Sequence, residues 1–417
     1  MTGATLLGAD GTPLSRPQRS TAASGATVPE TASPSPSMVT SERAAPVEAA
    51  GDASARVLVV VEMPGGNDGL SMAVPAADPA YYDLRSDTAI AADEVLDLDG
   101  RLGLNPALGR LHARGVGVVE GVGSTVPDGS HFEMQGRWWA GDSSSSSSAT
   151  GWIGRVADVF ARDSSAAGPA AALSVGSGAH PIIASATGST VSMPHADALW
   201  AVAGAAPDDE FASLYQGALR ALASGSDPIA LAMHDGLAFA DTVVDLSVDD
   251  ESAERLGYDW GLGRSLRFAA AVLTADVGIR VVHVQTQGDY DTHEGHSWKY
   301  PELMREIDAN LGAFHQDLDE RGLSDNVMVM TASEFGRTAR ENGSSGLDHG
   351  TASTMLLSGP GVNGVLGEAP SLTRLDDNDD LIATVPLESY LGGVVESWLG
   401  VPADEIFGIG TEALRLT

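Results

Sequence analysis

Cysteine is absent from the 417 residues. That absence removes disulfides, thiolate metal sites and a cysteine nucleophile together, so any bound metal must be held by His, Asp, Glu or Asn. Lysine is nearly absent as well: Lys299 is the one lysine among 23 basic residues, and 57 acidic residues leave a net charge of −34. A surface of that sign repels nucleic-acid phosphates and anionic lipid, which excludes binding through a broad basic patch. The acidity itself reads as a solubility feature of an acidic protein rather than as a function. No run reaches the roughly 18 apolar residues of a membrane-spanning helix. The opening MTGATLLGADGTPLSRPQRS has too short an apolar stretch for a signal core, and its arginines follow that stretch. No export signal is visible, and the default expectation is a cytoplasmic protein. The GxSxG elbow, the Walker loop and a GxGxxG after a strand are also missing, so the common hydrolase, nucleotide and dinucleotide fingerprints do not apply.

What is present is an ordinary globular composition, 43% apolar with mean hydropathy near zero. Residues 1–55, rich in Ser, Ala, Thr, Pro and Glu around TASPSPS, lack a periodic apolar face and read as a disordered arm. Order is expected from RVLVVVEM at 56–63, a β-branched run suited to a strand buried on both faces. A short helix around Leu104, Leu108 and Leu111 and a strand in GVGVVEGVG follow, the rhythm of a parallel α/β fold. Residues from about 141 to 250, with SSSSSS at 143–148 and much Ala, Gly and Ser, read as an insertion or cap within a domain spanning 56–417. The rhythm returns after 261: helix LGRSLRFAAAVLTADVG, strand IRVVHVQT, helix PELMREIDANLGAFHQDLDERGL, strand NVMVMTAS, strand STMLLSGPG and a closing helix LESYLGGVVESWLG. In the second of these helices Leu303, Ile307, Leu311, Phe314 and Leu318 form one apolar stripe, and Pro301 suits the first turn.

Polar clusters sit directly after the strands, where open parallel sheets bind ligands. In GDYDTHEGH, Asp291 and His293 are two apart and point to one side of an extended segment; carboxylate and imidazole suit Zn²⁺, Mn²⁺ or a similar ion, though a hydrogen-bonded polar loop has the same composition. Glu334 in TASEFGR is a ligand, a base or a turn cap. Asp348 and His349 in LDHGTAS are a further ligand pair or a turn. PGGNDGL, with Asn67 and Asp68, is an anion cradle, a metal loop or a plain turn. GSHFEMQGRWW offers Ser130, His131, Glu133 and Arg137, with the serine a nucleophile or an N-cap.

The ordered set GGNDGL, SHFE, DTH, SEFGR and DHGTAS resembles the bacterial family called domain of unknown function 1501, of the alkaline phosphatase and sulfatase-like superfamily. The resemblance implies an alkaline-phosphatase-like three-layer α/β/α sandwich with a mostly parallel central sheet. It implies divalent metal held by Asp68, Asp291, His293 and His349, with Ser130 as nucleophile and Glu334 in the loop where relatives carry Asp-His; together with the reading of the residues, Asp348 joins these as a candidate ligand for Zn, Mn or Mg, and Glu334 is a ligand or base. Asn67, His131, Arg137 and Arg337 are then candidates to hold the substrate. Ser333-Glu334-Phe335 stands where the superfamily carries an Asp-His pair, and Asp289 where the family often has glycine. Many relatives carry a twin-arginine export signal, which this chain does not display. Two functions fit these features: a metal-dependent hydrolase of phosphate or sulfate esters, with a small anionic ester as partner, and a non-catalytic scaffold that binds an unknown protein through the same pocket.

Overall fold

The computed structural model describes residues 55–162, 168–176, 178–188, 190–193, 210–244, 246 and 250–416. The expected N-terminal arm, apart from Ala55, lies outside them. All described residues belong to one compact unit, Arg43–Thr417.

The valine-rich run after Ala55 forms strand β1 (Val57–Glu62), every residue of which is buried. Because successive side chains alternate faces, Val57, Val59 and Val61 enter one apolar core while Leu58 and Val60 enter another. That double burial explains the unbroken apolar run. The first core is closed by helices α5 (Leu262–Thr274) and α6 (His296–Arg321) through Leu266, Ile307, Leu311 and Phe314. The second is closed by α1 (His131–Ala140), α2 (Trp152–Ala161) and α7 (Leu387–Val394) through Trp138, Trp152, Val156 and Tyr390. Helices on both faces of one sheet give the three-layer α/β/α sandwich.

Around β1, in chain order, lie β2 (Gly117–Gly123), β3 (Ala172–Val175), β4 (Thr190–Met193), β5 (Val281–Gln285), β6 (Val327–Ala332), β7 (Ser353–Ser358), β8 (Gly364–Gly367) and β9 (Val385–Pro386). The sheet order is β8-β2-β7-β6-β1-β5-β3-β4, with β9 also on β2. Every pairing is parallel except those of β7 with β6 and β2. The sheet is thus mostly parallel, as expected.

Two expectations change. The stretch 141–250, read above as an insertion or cap, supplies α2 and the sheet strands β3 and β4 before the two helices α3 (Glu210–Leu222) and α4 (Pro228–Val243). These strands have four residues each, too few for a periodic signal to stand out from the Ala, Gly and Ser around them. Helix α6 begins at His296 instead of near Pro301, which lies inside it. A proline there forgoes one backbone hydrogen bond, and the added turn buries the His296 ring against Tyr300, 4.7 Å between centroids. The apolar stripe Leu303, Ile307, Leu311, Phe314 and Leu318 is buried as its spacing requires.

Candidate functional site

Glu62 is in register with Gln285 on one side and Ala332 on the other, so β1, β5 and β6 end at one level. The loops that leave them, carrying 63–68, 286–295 and 333–349, therefore start side by side. Gly65 and Gly66 let these loops close up: both have positive φ (106° and 82°), and a Cβ on Gly65 would lie 2.6 Å from the Asp291 nitrogen, while one on Gly66 would run into the Phe335 ring. Only glycine accepts that backbone without strain.

Where these loops meet, Asp291 is ringed by three histidines. Its carboxylate lies 3.6 Å from His131 Nε2, 3.1 Å from His293 Nε2 and 3.3 Å from His349 Nε2. The ligand atoms of His131, Asp291 and His349 all fall within 4.8 Å of one another, and His293 Nε2 adjoins His349 Nε2 at 2.9 Å. Each ring is held from behind through Nδ1: His131 by Glu334 Oε1 at 2.9 Å, His293 by Asp348 Oδ1 at 2.9 Å, and His349 by the Gly129 carbonyl at 2.7 Å. These acceptors require the proton on Nδ1, so a neutral ring turns the lone pair of Nε2 inward. Two Nε2 lone pairs 2.9 Å apart beside a carboxylate repel unless a proton or a cation lies between them. Imidazole oriented by an acceptor on its far nitrogen is also how metal-binding histidines are set. With bonds of about 2.0–2.2 Å, the ligand atoms of a tetrahedral ion lie about 3.3–3.6 Å apart, close to the spacings found here. The side chains of Asp291, His131 and His349 are partly exposed, so an ion or ester has access.

Burial and neighbouring charges act on each of these groups. Burial works to raise the Asp291 carboxyl, but the guanidinium of Arg337, 2.6 Å away, outweighs it and keeps the group below its ordinary range. Burial lowers His349, holding it neutral. The Glu334 hydrogen bond raises His131 against the opposing effect of burial.

The remaining sequence candidates are distributed around this cluster. Glu334 is almost fully buried and accepts from the Gly65 N–H at 2.7 Å as well as from His131, so it positions rather than faces solvent. Arg337 is buried too; its donors reach Asp291 and the carbonyls of Gly65, Gly66 and Leu347. Asp68 is not brought to the cluster. It forms a buried two-point ion pair with Arg85 at 2.6 and 2.9 Å and lies 3.2 Å from His296. Asn67 is likewise inside, bonded to Ser333 and Tyr300. Arg137 pairs with Glu133 and the Val126 carbonyl. Ser130 is the N-cap of α1, weakly bonded at 3.5 Å to the Glu133 N–H, between Gly129 and His131, both of which touch the cluster.

The reading of the sequence did not anticipate His131 among the ring of imidazoles. It also missed a second group, Glu62, His180 and His283, whose ligand atoms lie within 4.8 Å of one another. The available signal was a glutamate closing the valine run of β1 and a histidine inside the apolar strand IRVVHVQT.

Residues 124–385 match the family model described as protein of unknown function (DUF1501). The match takes in more than half of the chain, and the protein belongs to that family. No curated protein matches the sequence. Among solved structures, the chain is similar to the lipoteichoic acid synthase LtaP from Listeria monocytogenes, with 10% identity, 87% of this chain and 74% of that chain covered, and a TM-score of 0.38. A PsFucS1 sulfatase from Pseudoalteromonas sp. gives 10% identity, 87% and 73% coverage and a TM-score of 0.38. The TAB5 alkaline phosphatase mutant gives 11% identity, 78% and 95% coverage and a TM-score of 0.34. These overlaps are loose.

Proposed function

We propose that the protein is a metal-dependent hydrolase of phosphate or sulfate esters, with Asp291, His131, His293 and His349 as the ligand set. The observation that carries this reading is the convergence of three Nε2 atoms, each ring pinned through Nδ1, on one carboxylate. A divalent ion there, Zn, Mn or Mg, would supply charge stabilisation for an ester oxygen and acidify a bound hydroxyl or water. Arg337 holds Asp291 charged and oriented, Glu334 and Asp348 fix the imidazole tautomers, and Ser130, between Gly129 and His131 in the chain, offers a hydroxyl at the positive end of α1 where an anionic group is favoured.

The test is hydrolysis of p-nitrophenyl phosphate and p-nitrophenyl sulfate by metal-loaded protein. We expect turnover of one of them that falls about 100-fold or more in His349→Ala, since losing an outer partner of a metal ligand alone costs 10–100-fold. Ser130→Ala separates a serine nucleophile, which predicts a comparable loss, from attack by water, which predicts little change. Loaded protein that turns over neither ester would give the pocket to the partner-binding alternative.

A further inference from the structure

The second group of potential ligands has no part in the site above. Glu62 closes β1, His283 lies mid-way along the neighbouring β5, and His180 sits in the connection between β3 and β4. In register His283 pairs with Val60 and Ser174, so glutamate, imidazole and serine hydroxyl all point from the same sheet face, towards α1 and α2. Glu62 Oε2 lies 2.8 Å from His283 Nε2 and 3.4 Å from His180 Nε2. We propose that Glu62, His180 and His283 form a second site for a divalent transition metal of the zinc class, with a fourth position left for water, which pins the β3–β4 connection to the sheet.

Two observations support this. The two spacings bracket the roughly 3.3 Å edge of a tetrahedral zinc site, and two histidines with one glutamate is an established zinc ligand set. Each anchored ligand is also oriented from its far side: Trp139 Nε1 donates to Glu62 Oε1 at 2.9 Å, and Ser174 Oγ lies 2.9 Å from His283 Nδ1, where a hydroxyl accepts the ring proton when Nε2 is engaged. His180 Nδ1 accepts a 3.3 Å bond from the Ile182 N–H. Binding through Nε2 requires that long bond to open, and the β3–β4 connection, with Gly178 and Ala179 exposed, has room to shift.

The test uses the full chain, stripped by chelator and titrated with Zn²⁺ by calorimetry, with Co²⁺ absorption as a second readout of tetrahedral coordination. In a His131→Ala/His349→Ala background, which disables the first cluster, one equivalent of Zn²⁺ should still bind. Adding His180→Ala, or Glu62→Gln, should weaken that binding by roughly tenfold or more. If the background variant does not fold, His180→Ala alone decides, because it should lower the wild-type zinc stoichiometry by one. Zinc binding that is unchanged by His180→Ala, or a folded background variant that binds no Zn²⁺, would overturn the proposal.

Discussion

Asp68 carries its charge in the interior, where its worth is decided by partners rather than by position in a motif. Burial works to raise the carboxyl, but the Arg85 guanidinium and His296 outweigh it and hold the group far below the ordinary carboxylate range. Removing one member of a buried pair leaves the other charge uncompensated, which costs about 3–5 kcal/mol. Asp68→Asn should therefore lower the urea-unfolding free energy by that order while leaving metal content at the Asp291 cluster intact. A stable Asp68→Asn protein that has lost metal would return Asp68 to the ligand set. From sequence, Asp68 and Asp291 are both aspartates in polar loops after apolar strands, and only the neighbouring His293 sets the second apart. What separates them is Arg85, 17 residues on from the first, and, for the second, His131 and His349 from segments far along the chain in addition to the neighbouring His293. Pairing across such distances leaves no local pattern, which is also why neither the place of His131 among the imidazoles nor the Glu62, His180 and His283 group is legible in the sequence.

At the level of elements, the site exists because three parallel strands end in register and two glycines let their loops close. Gly66 has a left-handed φ, and a side chain there meets the Phe335 ring beside Arg337. Gly66→Ala should cost about 1–3 kcal/mol and, by moving Phe335 and Arg337, weaken metal binding; a Gly66→Ala protein with wild-type melting and metal affinity would show that this close approach is not needed. The elements themselves were largely legible. β1, β5, β6 and α6 announce themselves by unbroken apolar runs or a strict three-and-four spacing, because each is buried on both faces or along one stripe. β3 and β4 do not, since four residues carry too little periodicity. The start of α6 was hidden by Pro301, which the helix accommodates because its first turn is anchored by His296 on Asp68, Ser71 and Thr292.

Across the whole molecule, a net charge of −34 repels itself in the folded state. Raising salt from 0.01 to 1 M shortens the screening length from about 30 to about 3 Å, so the melting temperature should climb with salt, and a flat or falling curve would mean that the acidic surface does not strain the fold. The same acidity repels anionic esters at long range, which makes a local cation at the site more than an accessory. Among the described residues no helix is long and apolar enough to cross a membrane. The proposed function requires that the loops after β1, β5 and β6, with the start of α1, converge on a metal. The most direct test is the metal content, by plasma mass spectrometry, of protein purified without a histidine tag, in wild type, His293→Ala, His349→Ala and Asp291→Asn. Bound metal is expected in the wild type, with a loss in all three variants while the fold is retained. A folded wild type that takes up neither Zn²⁺ nor Mn²⁺ nor Mg²⁺ on incubation would contradict it.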